Sequence, residues 1–164
     1  MQIELRPVQP SDLDLLVYWS GKPHVASALG SDTGWDWREE LAMDPDWREL
    51  LIAHIGGRPV GILQIIDPAR EEAHYWGDIE PNLRAIDIWI GEPEDLGRGY
   101  GTQMMQLALA RCFADPTVEA VLVDPLASNA EAVRFYERCG FRAAGRRVFE
   151  KEVCLVMRLD RPAE

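Results

Sequence analysis

A carboxylate occupies the middle of an apolar run, Leu83-Arg-Ala-Ile-Asp-Ile-Trp-Ile90. The run predicts a central strand, on which Asp87 shares one face with Ala85 and Trp89 while isoleucines fill the other. Removing a carboxylate from water is costly unless it has a partner or a function. Two interpretations follow: Asp87 forms an ion pair with a nearby arginine, or desolvation raises its pKa and makes it a general base.

A second candidate site is the glycine cluster Gly97-Arg-Gly-Tyr-Gly101, which lies between that strand and a helical pattern. Glycines let an anion approach the backbone, and N–H groups at a helix N-terminus present the positive end of the helix dipole. The spacing excludes a Walker loop and misses the dinucleotide fingerprint, so ATP and NAD are poor candidates. The cluster predicts a different phosphate site, with a flexible turn as the alternative.

The third candidate is a helix that begins near Ser128-Asn-Ala-Glu131, which has the spacing of a capping box, and ends at Gly140. Asn129, Ala132 and Tyr136 fall at positions i, i+3 and i+7 and therefore share one face. A tyrosine on that face supplies a hydroxyl that can donate a proton. The alternative is that Ala132 and Tyr136 belong to the core.

Carboxylates and aromatic rings outside these motifs are candidates for a further ligand-binding site. Tyr75, Trp76, Asp78 and Glu80 lie in one loop, and Asp124 follows the next strand along the chain. Such a set suits a molecule that carries several ammonium groups and sugar rings. For Asp78 and Glu80, a solvated acidic surface is the alternative.

The surrounding patterns predict the order β-α-α-β-β-β-α-β-α-β-β. An opening strand over 3–7 precedes a helix capped by Ser11, and residues 21–34 have no apolar periodicity. Gly56-Gly57 joins two apolar runs and predicts a hairpin. The remaining predicted elements are a helix over 37–43, strands over 49–55, 60–66, 83–90, 118–123, 141–149 and 153–159, and helices over 101–114 and 128–140.

Composition limits the classes of partner. The chain has 164 residues and a formal net charge of −11, which fits one domain and argues against nucleic acid or an anionic membrane. No apolar run reaches the roughly 20 residues of a membrane span, and the first residues lack a signal-peptide pattern; we expect a cytoplasmic protein. Cys112, Cys139 and Cys154 have neither disulfide nor zinc-site spacing, so no metal site is predicted.

In chain order, a strand, a Gly-x-Gly loop, a helix, a strand and Asn129-x-x-Ala-x-x-Phe-Tyr-Glu-x-x-Gly-Phe141 resemble the acetyl-CoA-binding half of the GNAT N-acetyltransferase superfamily. Arg84-Ala-Ile-Asp87, Leu96-Gly-Arg-Gly-Tyr-Gly-Thr102 and Asp124-Pro-x-x-Ser-Asn129 are similar to aminoglycoside 6'-N-acetyltransferases. The resemblance implies an α/β (α+β) GNAT fold: a mixed, mostly antiparallel twisted sheet of about seven strands, about four helices and a V-shaped splay between the two central strands.

The resemblance also implies roles for individual residues. Asp87 would be the catalytic base, with acetyl-CoA as cosubstrate. The chemistry of amide formation adds a donor to the leaving thiolate, for which Tyr136 is the candidate. The candidates for binding the acceptor amine are Asp87 and, from their residue types, Tyr75, Trp76, Asp78 and Asp124. The residues implied to bind acetyl-CoA are Ile88, Trp89, Ile90, Leu96, Gly97, Arg98, Gly99, Tyr100, Gly101, Thr102, Asn129, Ala132 and Tyr136.

Two departures from the family pattern concern ligand binding. Leu96 stands where Gln or Arg is frequent, and Ala28-Leu29 stands where the aminoglycoside enzymes often carry tryptophans. The predicted function is acetyl transfer from acetyl-CoA to a primary amine of a polycationic small molecule, foremost the 6'-amine of an aminoglycoside, by a monomer or homodimer. The alternatives are another amine, such as a siderophore precursor, a polyamine or a protein N-terminus, and a non-catalytic acyl-CoA sensor.

Overall fold

A computed structural model describes residues 2–29, 36–149 and 151–163 of the chain. Within these ranges lie seven strands, β1 (Glu4–Pro7), β2 (Arg48–Ile55), β3 (Arg58–Ile66), β4 (Leu83–Ile90), β5 (Ala120–Val123), β6 (Arg142–Phe149) and β7 (Glu152–Asp160). The α-helices there are α1 (Leu13–Ser20), α2 (Pro23–Leu29), α3 (Trp37–Ala42), α4 (Tyr100–Phe113) and α5 (Ala130–Arg138). No helix in the described ranges is long and apolar enough to cross a membrane.

The strands form one sheet in the order β1-β2-β3-β4-β5-β7-β6. The central pair β4–β5 is parallel, and the other neighbouring strands pair antiparallel. The predicted mixed, mostly antiparallel sheet is therefore confirmed. Gly56 and Gly57 connect β2 to β3 with positive φ at both positions, which is the geometry of a two-residue type I′ hairpin, also as predicted.

The two central strands separate after a short pairing. Only Leu83, Arg84 and Ala85 of β4 pair with β5, although β4 continues to Ile90. Parallel strands are joined by a crossover, here α4, so no turn holds their far ends together. A wedge consequently opens between β4 and β5, and we call this opening the splay.

Each face of the sheet has its own core. On one face α4 and α5 bury Met104, Met105 and Tyr136 against strands β2 to β5 and β7. On the other, α1 and α3 bury Leu16, Trp19 and Trp37 against β2 and β3. A smaller cluster under residues 67–82 completes this second face. The splay is therefore a passage between two separately packed layers.

Two predicted helix starts are shifted. Ser11 lies inside a short 3₁₀ turn, Pro10–Asp12, and α1 begins at Leu13. Arg6 holds the Asp12 carboxylate at 2.8 Å, which fixes this entry. At α5 the cap is Asn129 rather than Ser128, because the Asn129 side chain accepts a hydrogen bond from the backbone N–H of Ala132.

The stretch 21–34, predicted to lack regular structure, contains α2 up to Leu29. Lys22 and His24 tie this helix to the end of β4 through Glu92 and the Ile90 carbonyl. Tertiary contacts rather than an apolar stripe therefore support α2. Residues 30–34 lie outside the described part of the chain.

Candidate active site

A cleft of about 230 Å³ occupies the splay and receives side chains from both layers of the fold. Its walls come from β3, β4, the loop over residues 67–82, the end of β5, α5 and the β6–β7 hairpin. The lining includes Gln64, Glu71, Tyr75, Trp76, Asp87, Ile88, Trp89, Asp124, Asn129, Ala132, Tyr136, Phe149, Glu152 and Cys154. Residues from distant parts of the sequence are thus placed around one space.

Most side chains singled out from the sequence for acceptor binding and catalysis meet here, with two exceptions, Asp78 and Glu80. Asp78 is exposed and does not line the cleft. Glu80 does not line the cleft either and forms an ion pair with Arg158 at 3.2 Å. Ile90 and the loop over 96–102 also lie outside the cleft wall, at the end of β4 and at the start of α4.

Asp87 is fixed by a neighbour on the adjacent strand. It lies opposite Gln64 in the β3–β4 register, and the Gln64 amide donates a hydrogen bond to Asp87 Oδ2 at 2.8 Å. Gln64 is buried, and its Oε1 has no hydrogen-bond partner among the described residues. The arginine of the same strand, Arg84, pairs with Asp67 and Asp115. The Asp87 carboxylate, which lines the cleft, is therefore held from the adjacent strand by a buried amide.

Asp124 forms the second acidic group of the cleft. Tyr75 Oη donates a hydrogen bond to Asp124 Oδ2 at 2.6 Å. Burial, reinforced by the charge of Asp87, raises the pKa of Asp124 to about 7, while the Tyr75 hydrogen bond and the charge of Arg147 act in the opposite direction. Asp124 consequently gains or loses its proton near neutral pH.

Tyr136 approaches the same space from α5, with Phe135 and Phe141 packed beside it at ring-centroid distances of 5.2 and 5.8 Å. Burial, together with the charges of Asp87 and Asp124, raises the pKa of its hydroxyl. Tyr136 therefore keeps its proton at physiological pH and is able to donate a hydrogen bond. The sequence left a core position and a site position as alternatives for Tyr136. In the structure Tyr136 belongs to the core and also lines the cleft.

Three rings form one side of the cleft, and we call them the aromatic wall: Tyr75, Trp76 and Phe149. Tyr75 lies 4.1 Å from Phe149 and 5.7 Å from Trp76 between ring centroids. The guanidinium of Arg147 stands behind them, 4.9 Å from the Tyr75 centroid. The rings are inclined to one another, by 47° between Tyr75 and Phe149 and 72° between Tyr75 and Trp76. An aromatic surface beside two carboxylates suits a sugar ring that bears ammonium groups.

The glycine loop delivers α4 with an uncapped N-terminus. Gly99 is the N-cap, at φ +80°, and within the described residues no side-chain capping hydrogen bond is present there. The N–H groups of a helix's first turn have no partner within the helix, so the start of α4 can hold an anion. Leu96, which stands where the family often has Gln or Arg, is 47% exposed.

The edge of β4 that faces the splay carries backbone N–H and C=O groups. Gly91 N–H donates to the Val60 carbonyl; in an antiparallel ladder such pairs alternate, so Trp89 also faces β3. Ile88 and Ile90 therefore direct their backbone groups toward the splay. The Ile90 carbonyl lies 2.8 Å from His24 Nε2. The edge from Ile88 to the Ile90 N–H can pair with an extended amide chain.

Sequence reasoning missed Gln64, Glu71, Glu152 and Arg147. Gln64 offered the same signal as Asp87, a polar residue inside an apolar strand. Glu71, whose Oε1 accepts from the backbone N–H of Tyr75 at 2.9 Å, lies in a loop without periodicity. The carboxylates in the described part of the chain form no group suited to a metal ion.

The three cysteines are free thiols, and burial raises the pKa of Cys112 to about 12. Burial also raises the pKa of Cys139 and of Cys154, which lines the cleft. Thiols with raised pKa values are poor nucleophiles.

A mixed sheet split at its central parallel pair, a glycine-capped helix beside the split and an acidic cleft within it define an acyltransferase. The family model described as acetyltransferase (GNAT) domain matches residues 9–149, and the chain belongs to this family. The predicted GNAT fold and acetyltransferase class are therefore confirmed.

The individual relatives include both antibiotic-modifying and lysine-modifying enzymes. An aminoglycoside N(6')-acetyltransferase type 1 of Klebsiella pneumoniae is 28% identical over 151 residues, covering 87% of this chain and 75% of that protein. A lysine N-acyltransferase of Mycobacterium tuberculosis is 26% identical over 147 residues, covering 86% and 69%. The solved structure of aminoglycoside acetyltransferase AAC(6')-Ib with coenzyme A and kanamycin superposes with a TM-score of 0.86 at 27% identity, covering 98% and 95%.

The second departure from the family pattern, Ala28-Leu29, falls at the end of α2, and the side chains of both residues lie outside the described part of the structure.

Proposed function

We propose that this protein transfers the acetyl group of acetyl-CoA to a primary amine of an aminoglycoside, foremost the 6'-amine. The observation that carries the proposal is the cleft in the splay, where Asp87, Asp124 and the aromatic wall face Tyr136. We place the reaction in the cytoplasm, in a monomer or homodimer without nucleic-acid or membrane partners. The net charge of −11 supports the choice of a cationic small molecule.

Acetyl-CoA binds from the α4–α5 side. Its pyrophosphate lies at the N-terminus of α4, within Leu96-Gly-Arg-Gly-Tyr-Gly-Thr102, where unpaired N–H groups and the helix dipole favour an anion. Its pantetheine arm extends along the open edge of β4 at Ile88, Trp89 and Ile90. The thioester then reaches Asn129, Ala132 and Tyr136, all of which line the cleft.

The acceptor binds from the opposite layer. Glu71, Asp87, Asp124 and Glu152 surround the cleft, so several ammonium groups of one molecule find carboxylates at the same time. The aromatic wall packs against the sugar rings. A monoamine satisfies only part of this set, which favours a polyamine with rings over a simple alkylamine.

The reaction requires a neutral amine, because an ammonium has no lone pair. Asp87 accepts one proton from the bound ammonium, directly or through water, and Gln64 holds its carboxylate in place. The nitrogen attacks the thioester carbonyl carbon, a C–N bond forms and the C–S bond breaks. The second nitrogen proton passes to the leaving sulfur, giving the acetamide, CoA thiol and a proton on Asp87 that returns to solvent.

Tyr136 assists the departure of the sulfur. Its pKa is raised above the usual value of about 10, whereas a thiol has a pKa of about 8.5. Full proton transfer from Tyr136 to a thiolate is therefore uphill. A hydrogen bond from the tyrosine hydroxyl to the sulfur is favourable and stabilises the charge that develops there.

The test is release of CoA thiol from acetyl-CoA across a panel of amines: kanamycin, ribostamycin, lysine, spermidine and a peptide N-terminus. Rapid turnover with the aminoglycosides and slow turnover with the others supports the proposal. Turnover confined to lysine or spermidine moves the substrate to another amine. Tight acetyl-CoA binding without turnover of any amine indicates a sensor instead.

A further inference from the structure

Arg147 is a cation placed behind a cleft that is otherwise lined by carboxylates. It lies on β6 and is partly buried, whereas its neighbours Arg146 and Val148 are exposed. Its Nη2 donates to the carbonyl oxygen of Tyr75. Its guanidinium also lies 4.9, 5.3 and 5.9 Å from the ring centroids of the aromatic wall residues Tyr75, Trp76 and Phe149. One side chain therefore contacts all three rings of the wall.

This placement is costly as well as stabilising. Arg147 Nη1 is buried and has no hydrogen-bond partner within the part of the chain that the structure describes. A buried donor on a charged group that lacks an acceptor is destabilising. A solvent-facing arginine on the same strand, such as Arg146, avoids that cost. The compensating contacts are those to residues 75 and 76, which are more than 70 positions away in the sequence.

Tyr75 is held by contacts to its backbone and to its ring, and Arg147 supplies one of each kind. Its backbone N–H donates to Glu71 and its carbonyl accepts from Arg147. Its ring packs against Phe149 and the guanidinium. Its hydroxyl is thereby aimed at Asp124. Loss of Arg147 releases the carbonyl and one face of the ring, and the direction of the hydroxyl is no longer fixed.

We propose that Arg147 is a positioning residue for the acceptor amine: it anchors the aromatic wall to β6 and, through Tyr75, fixes the Asp124 carboxylate that receives an ammonium group. The identity of that amine rests on the proposed function, whereas the link from Arg147 to Asp124 does not. The residue acts through Tyr75 and Asp124, and it does not line the cleft itself.

The charge of Arg147 has a second effect on Asp124. The groups that face Asp124 come from every element around the cleft: Asp87 on β4, Tyr75 on the loop, Tyr136 on α5, Arg147 on β6, and Glu152 and Cys154 on β7. Asp87 raises the pKa of Asp124, while Tyr75 and Arg147 lower it. Without Arg147 the carboxyl therefore keeps its proton to higher pH, and fewer molecules carry the anion that an ammonium needs.

The experiment compares Arg147→Met, Arg147→Lys and the exposed control Arg146→Met. Three quantities are measured: the pH titration of the Asp124 carboxyl carbon by ¹³C NMR, assigned with Asp124→Asn; the acetyl-CoA affinity by calorimetry; and KM and kcat with whichever amine the wild type acetylates. The titration requires no acceptor. Failure to find any acetylated amine therefore counts against the proposed function and leaves the link between Arg147 and Asp124 tested.

In Arg147→Met we expect the Asp124 midpoint at higher pH and the acceptor KM at pH 7 raised about tenfold, the loss of one charge-assisted hydrogen bond. Its kcat and acetyl-CoA affinity should stay within about twofold of wild type. Arg147→Lys keeps the charge but cannot hold the carbonyl and three rings together, so its midpoint should match wild type while KM rises about threefold. Arg146→Met should behave as wild type.

Several results overturn the proposal. If Arg147→Met has the wild-type Asp124 midpoint and the wild-type acceptor KM, Arg147 neither tunes Asp124 nor positions the acceptor. Parallel loss of acetyl-CoA affinity shows that Arg147 supports the fold in general. Equal shifts in Arg146→Met assign the effect to net charge. If Arg147→Met does not fold, a wild-type acceptor KM in Arg147→Lys is enough to contradict the proposal.

Discussion

Replacing Asp124 by asparagine should stabilise the protein at alkaline pH. The folded state raises the pKa of Asp124 from 3.8 to about 7, through burial first and the charge of Asp87 second. The folded protein therefore holds this proton more tightly than the unfolded chain does. The stability that this proton contributes is fully present below the unfolded pKa. It is lost as the pH rises through the folded pKa. Asparagine cannot ionise, yet its oxygen still accepts the hydrogen bond from Tyr75, so the variant avoids the decline.

The magnitude follows from the pKa difference. A rise of about three units, at about 1.4 kcal/mol for each unit, corresponds to about 4 kcal/mol of stability lost by the wild type above pH 7. In a chain of this length 1 kcal/mol shifts Tm by roughly 2–4 °C. Asp124→Asn should therefore melt roughly 10 °C above the wild type at pH 8, and within a few degrees of it at pH 4.

Thermal unfolding followed by circular dichroism between pH 4 and pH 8 measures this difference. Asp78→Asn is the matched control, because Asp78 is an exposed carboxylate on the loop that carries Tyr75. The control should follow the wild type at every pH. If Asp124→Asn and the wild type show the same dependence of Tm on pH, Asp124 does not hold a proton near neutrality and the reasoning is refuted.

Three further expectations concern binding and turnover. Gly99→Val should weaken acetyl-CoA binding in calorimetry, because Gly99 caps α4 at φ +80°, a conformation that a β-branched residue rarely adopts; unchanged affinity would contradict the loop assignment. Tyr136→Phe should lower kcat about 10²-fold in steady-state kinetics while acetyl-CoA affinity stays near wild type; wild-type kcat would make Tyr136 a core residue only. Asp87→Asn should lower kcat by about 10²- to 10⁴-fold, and a kcat near that of the wild type would show that Asp87 is not the base. Asp124→Asn should chiefly raise KM for a multiply charged amine, and added salt should have the same effect.

Elements with strong local signals were predictable from the sequence. The Gly56-Gly57 turn, the apolar β4 strand and the end of α5 shortly before Gly140 each rest on a few adjacent residues. Helix α2 was not predictable, since it has no apolar stripe and its support comes from β4. The splay itself was expected from the resemblance alone. Its physical basis, a parallel pairing of three residues, depends on how distant strands meet.

The candidate site divides in the same way. Asp87 and Tyr136 stood out because each is a polar group in an apolar pattern. The contacts that fix them come from elsewhere in the chain: Gln64 is 23 residues from Asp87, and Arg147 is 72 residues from Tyr75. No local pattern encodes such pairs. Asp124 could be named from its place at the end of a strand, but its raised pKa required the burial and the neighbours that only the fold supplies.

The most direct test of the account is the structure of the product formed from acetyl-CoA and kanamycin. The account predicts a single acetyl group on the 6'-amine, located by NMR, formed by the wild type and formed about 10²- to 10⁴-fold more slowly by Asp87→Asn. Acetylation of a different amine would show that the cleft orients the sugar otherwise. No product at all, with acetyl-CoA bound and intact, would contradict the claim that this cleft is an aminoglycoside acetyltransferase site.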